Sequence, residues 1–144
     1  MPRPPAGAIT VLGAGSWGTA LAVQLARCGQ PVTLWGRDGG ALADMATRRE
    51  NARYLPGVEF PPTLAVEPDL TAALGRADDL LVCVPSRALR ETLTALRPHV
   101  GAATRLAWAT KGFEQHTGLL PHALAREVLG TSLPLATLSG PTFA

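Results

Sequence analysis

Short apolar runs alternate with stretches whose apolar positions recur at helical spacing. "AITVL" (8–12), "PVTLW" (31–35), "TLAV" (63–66), "DLLVCVP" (79–85), "TRLAWAT" (104–110) and "LPLATLSGP" (133–141) predict strands. The clearest is 79–85, apolar on both faces as buried parallel strands are. Between them, Trp17, Ala20, Leu21, Leu25 and Cys28 mark the expected buried stripe of a helix over 16–28, with Gly29 as its stop. Further helices are predicted over 41–51, over 69–78 with Asp69 as N-cap, over 86–98 with Ser86 as N-cap and Leu89, Leu93 and Leu96 facing inward, and over 121–130 with Pro121 near its start and Gly130 after its end. The stretch 52–62 carries three prolines and reads as an irregular loop. No two strands are close enough for a tight hairpin. Strand and helix therefore alternate as βαβ units, which implies an α/β fold: a Rossmann-type doubly wound parallel sheet forming one domain over 1–144.

Composition narrows the class without deciding it. A 144-residue chain with 47% hydrophobic and 17% charged residues can bury a core unaided by metals or disulfides. No apolar run reaches the ~18 residues of a membrane span, and no signal peptide is expected. A net charge of +2, scattered along the chain, gives no reason to expect nucleic acid as a partner. Arg48–Arg49, the one adjacent basic pair, reads as a solvated helix face. Cys28 and Cys83 read as small buried thiols of a reducing, cytoplasmic compartment. His99, His116 and His122 show no metal-ligand spacing and read as surface or capping residues.

The chemistry concentrates in "LGAGSWGTAL" (12–21), where Gly13, Gly15 and Gly18 stand at G-x-G-x-x-G spacing between a strand and a helix. That context turns a weak motif into a dinucleotide-binding expectation. Gly13 permits the tight turn, Gly15 lets a phosphate approach the backbone, and Gly18 lets the helix pack on the strand. The N–H groups of the first helical turn then face the pyrophosphate. The Trp17 ring is expected to pack into the core, with contact against the cofactor as the alternative. After the second strand comes "LWGRD" (34–38). Gly36 stands where an NAD site places its ribose-binding acid, and Arg37 follows, suited to a 2′-phosphate. The expected cofactor is NADPH, with NAD possible; the alternative for Arg37 is a solvated residue paired with Asp38. Lys111, the sole lysine beside twelve arginines, directly follows a buried strand and can hold a substrate oxygen or transfer a proton.

"GAGSWGTALA" (13–22), "NARYLPG" (51–57), "ATKGFE" (109–114) and "LSGPTFA" (138–144) occur in order. Together they resemble the bacterial NAD(P)-dependent sn-glycerol-3-phosphate dehydrogenases from Ala8 to Ala144. The resemblance matches only the first, nucleotide-binding part of that family. It implies that Ser16, Trp17, Arg37, Tyr54, Lys111 and Ala144 contact the cofactor, and that Lys111, Gly140 and Thr142 contact the substrate. The family more often has serine where Thr142 stands. The implied reaction interconverts dihydroxyacetone phosphate and sn-glycerol 3-phosphate for phospholipid synthesis. The family's proton-donating lysine lies in a second, mostly helical domain with no counterpart here, so no catalytic residue is expected within these residues, and the chain alone is expected to be inactive. A homodimer is expected of the complete protein. Two other readings stand beside this one: a reductase of another small keto acid, and a stand-alone NADP-binding or redox-sensing module.

Overall fold

The computed structural model describes residues 7–139. Six parallel strands form the sheet: β1 (Ile9–Leu12), β2 (Val32–Trp35), β5 (Leu64–Val66), β6 (Asp79–Val82), β7 (Arg105–Trp108) and β8 (Leu135–Thr137). Their spatial order is β5-β2-β1-β6-β7-β8. In register, Ile9 is opposite both Val32 and Asp79, so β1 is central. From β1 the chain winds outward to β2 and β5, then returns to lay β6, β7 and β8 on the other side. The order of a doubly wound dinucleotide fold follows, with its switch point between β1 and β6.

Period-two alternation along each strand feeds two cores. On one face Val11, Leu34 and Leu81 pack with α1 (Ser16–Arg27) and α2 (Gly39–Arg48) through Ala22, Val23, Ala26, Leu42 and Met45. On the other, Leu12, Leu80, Val82 and Trp108 pack with α4 (Ser86–Leu96) and α5 (Pro121–Leu129) through Leu89, Leu93, Leu96 and Leu124. A short α3 (Leu70–Leu74) lies across β1 on this second face, where buried Thr10 donates its hydroxyl to the Ala73 carbonyl at 2.8 Å. Asp69 caps α3 by accepting from the Ala72 N–H at 3.2 Å, as its sequence position suggests. Among the described residues, no helix is long and apolar enough to cross a membrane.

Several local expectations are corrected. The buried stripe of α1 is Gly18, Thr19, Ala22, Val23 and Ala26, displaced by one residue, about 100° around the helix axis, from the predicted one. Leu21 and Leu25 only flank that core, and Trp17 and Cys28 are exposed. Small residues win this face because α1 must lie close against the sheet. α4 begins at Ser86 as a helical residue, with Pro85 in the capping position and no side-chain cap. α2 runs from Gly39 to Arg48, ahead of its predicted range. Arg48 is solvated and pairs with Asp44, but Arg49 leaves the helix with φ 58 and donates to the Pro61 and Leu64 carbonyls, both at 2.8 Å. The last two residues of the predicted helix and the supposed loop after it form an antiparallel ribbon, β3 (Glu50–Asn51) with β4 (Leu55–Glu59). Three prolines hid that pairing: they flank or interrupt an edge, where proline is tolerated.

Candidate functional site

The carboxyl ends of β1, β2 and β6 open onto a cavity of about 490 Å³. Its walls come from the glycine turn, from Trp35–Asp38, from the ribbon segment Asn51–Tyr54, and from Cys83–Pro85 with Ala88 of α4.

The three glycines of the turn are present for two different reasons. Gly13 holds φ +122, and a Cβ there would meet the Cys83 carbonyl oxygen at 2.3 Å. A Cβ on Gly18 would fall 1.8 Å from the Gly13 carbonyl oxygen. Both are demanded by the close passage of the turn, β6 and α1. Gly15 is not: it holds φ −81 and ψ −169, open to any residue, and a Cβ would meet nothing within 4 Å. Its missing side chain leaves open space at the start of α1, where no side chain caps the helix. Uncapped N–H groups and the helix dipole suit an anion at that place, and the gap over Gly15 lets one approach the backbone. The cradle fits a pyrophosphate.

At the end of β2, Gly36 is buried, and a Cβ there would come 3.0 Å from the Ala14 Cβ. An acid cannot occupy that place without moving the turn. Asp38 is spent as the N-cap of α2, accepting from the Ala41 N–H at 3.0 Å. Arg37 therefore does not pair with Asp38, as one reading of the sequence had it. Its Nη1 donates instead to Glu91 Oε2 of α4 at 2.9 Å, on the open rim of the cavity. The Arg37 guanidinium, paired with Glu91, stands on the cavity wall beside the end of β2, where a bound ribose would lie.

The ribbon is stitched to the glycine turn by Asn51, which is 1% exposed. Its Nδ2 donates to the Ala14 carbonyl at 3.1 Å and to Thr19 Oγ1 at 2.9 Å, while its Oδ1 accepts from the Tyr54 N–H at 3.2 Å. Tyr54 is thereby fixed at the cavity wall, with the Arg53 guanidinium 5.0 Å from its ring centre. On the facing wall, Cys83 is half-buried, and burial pushes its thiol up to about 12, which makes it an inert wall residue. Cys28, in contrast to the expectation, is an exposed thiol.

Ser16 and Trp17 open α1, and both are exposed. The Trp17 ring is 53% exposed, which overturns its expected core position. Lys111 is exposed just beyond β7. The residue before it, Thr110, donates its hydroxyl to the Val84 carbonyl at 2.7 Å, and Val84 lines the cavity. The lysine's stretch is then tied back by Glu114, a buried carboxylate that accepts two bonds from Arg90 of α4 and one from the Thr117 hydroxyl. Arg90 also reaches Glu127 of α5 at 2.8 Å. The Arg90 bonds, then that of Thr117, bring the Glu114 carboxyl down to about 2. Gly140, Thr142 and Ala144 lie outside the described residues.

Asn51, Glu91 and Glu114 escaped the reading of the sequence. Asn51 and Glu114 stand inside motifs already singled out, whereas nothing near Glu91 in the chain distinguishes it from a solvated helix acid.

Residues 8–144 match the family model described as the NAD-dependent glycerol-3-phosphate dehydrogenase N-terminus. The chain belongs to that family. It is 52% identical over 137 residues to a glycerol-3-phosphate dehydrogenase (NAD(P)+) of Pseudoalteromonas translucida, covering 95% of this chain and 41% of the relative. A protein of the same name from Haemophilus influenzae is 52% identical over 136 residues, covering 94% and 41%. The crystal structure of a glycerol-3-phosphate dehydrogenase from Coxiella burnetii superposes with a TM-score of 0.91 at 44% identity, covering 97% of this chain and 42% of that one. This member of the family thus spans about two fifths of the length of these curated relatives. The expected resemblance and the Rossmann-type sheet are both borne out.

Proposed function

We propose that this chain binds NADPH, and NADH more weakly, as the nucleotide-binding part of a glycerol-3-phosphate dehydrogenase. The observation that carries the reading is Gly15, whose side chain is missing where neither backbone conformation nor packing requires it. A pyrophosphate over the start of α1 gives that absence a reason. On this reading Ser16 and Trp17 flank the pyrophosphate, the exposed Trp17 ring lies against the cofactor, Arg37 takes the 2′-phosphate, and Tyr54 closes the cavity wall. Ala144 is proposed as a further cofactor contact, and Lys111, Gly140 and Thr142 as substrate contacts.

The names of the relatives support glycerol 3-phosphate as one substrate, and dihydroxyacetone phosphate, the ketone left when its secondary alcohol loses a hydride, is proposed as the other. The nicotinamide, when bound, supplies the hydride. The task of this chain's residues is then to hold the dinucleotide along the strand ends and to present Lys111 to the substrate oxygens. Residues 1–144 are proposed as one dinucleotide-binding domain, with the proton donor supplied from beyond it. The two free thiols agree with a cytoplasmic protein, and a homodimer is proposed for the complete enzyme.

Fluorescence titration with NADPH tests the reading. The parent chain should bind, and Gly15→Val should fold with the same thermal midpoint yet lose binding. A Gly15→Val chain that binds as the parent does would show the phosphate to be elsewhere. Activity of the full-length protein on ketopantoate but not on dihydroxyacetone phosphate would favour the other reductase reading.

A further inference from the structure

Arg37 is held by Glu91, which does not itself line the cavity. Glu91 lies on α4 three residues beyond Ala88, so the two share a helix face, and Ala88 lines the cavity. Its Oε2 accepts from Arg37 Nη1 at 2.9 Å. The pair spans 54 residues of sequence and joins the end of β2 to α4 across the rim. Both side chains are solvated, at 61% and 71% exposure, so the pair contributes little to folding.

We propose that Glu91 is a specificity-determining residue that holds down the site's preference for a 2′-phosphorylated dinucleotide. The inference rests on the proposed function, in which Arg37 receives the 2′-phosphate. A carboxylate already on the guanidinium neutralises it. A dianionic phosphate must displace that carboxylate or bind with it a few ångströms away, well within the ~8 Å screening length at physiological salt. NADH brings a neutral 2′-hydroxyl to the same place and meets neither cost. Glu91 therefore weakens NADPH and leaves NADH alone, which keeps the two cofactors closer in affinity than Arg37 by itself would set them. Asp38, the other acid beside Arg37 in the sequence, is engaged in capping α2, so its carboxylate is not the competitor. Glu127, the further acid near α4, is engaged by Arg90.

The test is a double-mutant cycle on this chain, read by fluorescence titration with NADPH and with NADH at two ionic strengths. Glu91→Gln keeps the shape of the side chain, and both positions are exposed, so folding should be retained; circular dichroism and thermal midpoints confirm that. Glu91→Gln should tighten NADPH about three- to tenfold, change NADH less than twofold, and show its gain shrinking at high salt. In an Arg37→Ala background the same substitution should gain little, because the guanidinium it frees is gone. Unchanged or weaker NADPH binding in Glu91→Gln overturns the inference, as does an equal gain for both cofactors or an equal gain without Arg37. If Arg37→Ala itself weakens NADPH and NADH alike, the placement of the 2′-phosphate on Arg37 fails, and the inference falls with it.

Discussion

At the scale of single residues, the glycine turn separates what the fold requires from what a ligand requires. Gly13 and Gly18 are packed against backbone, so a methyl group at either must displace the turn. Gly18→Ala should therefore destabilise the protein by about 1–3 kcal/mol, the usual cost of overpacking, seen as a lower denaturation midpoint. Gly15→Val should leave that midpoint in place and lose NADPH. An equal loss of stability in both variants would assign all three glycines to packing. Arg37 carries the second residue-scale prediction. Arg37→Ala should weaken NADPH by about 1.5–3 kcal/mol, the worth of a charged hydrogen bond, and leave NADH nearly unchanged by titration. The motif and Arg37 were legible in the sequence because their reasons are local: a turn between strand and helix, and the place just after a strand. Trp17 was misread because periodicity gives the spacing of a helical stripe without saying which small residues the sheet will select. Gly18, Thr19 and Ala22 take that face precisely where larger side chains would hold α1 off β1.

At the scale of elements, two tethers hold the site walls. Asn51 joins the β3–β4 ribbon to the glycine turn and α1 with two hydrogen bonds and holds Tyr54 with a third. Asn51→Ala leaves the Ala14 carbonyl and the Thr19 hydroxyl short of a donor in a buried place. It should cost about 1–3 kcal/mol in chemical denaturation and weaken NADPH as Tyr54 loses its anchor. Unchanged stability would mean that water replaces the amide. The second tether is Glu114 on Arg90. Its carboxyl falls from 4.5 to about 2 through the Arg90 and Thr117 bonds, so the folded state favours the charged form. That contribution is complete above about pH 4.5 and is lost as the pH falls towards 2. The gap in thermal midpoint between parent and Glu114→Gln should therefore close on acidification through that window, and a gap independent of pH would deny the charge a role. Strands and helices of the main sheet were legible because each carries its own period. The ribbon was not, because its pairing is non-local and proline-marked, and Arg49, which closes it, falls within the span predicted as helix.

At the scale of the whole molecule, binding and chemistry are expected to part. The cavity, the glycine turn and Arg37 all belong to β1, β2, β6 and the segments next to them. Lys111 stands one strand further along the same edge, after β7. The chain matches about two fifths of the length of its relatives, and the proposed proton donor lies outside it. These 144 residues should bind NADPH yet oxidise it with dihydroxyacetone phosphate far more slowly than the full-length protein does. Loss of a general acid alone removes about 10²–10⁴ in rate. Loss of substrate alignment removes more, because positioning is worth about 7–11 kcal/mol of a barrier. In the full-length protein, Lys111→Ala should lower turnover severely while NADPH affinity falls less, because the pyrophosphate and the ribose are held elsewhere. Steady-state NADPH oxidation on the chain, the full-length protein and its Lys111→Ala variant, beside fluorescence titration of each, separates the two functions. High activity in the 144-residue chain would place the proton donor within it. Undiminished turnover in the Lys111→Ala protein would make that lysine a solvated residue of the loop that Glu114 ties down.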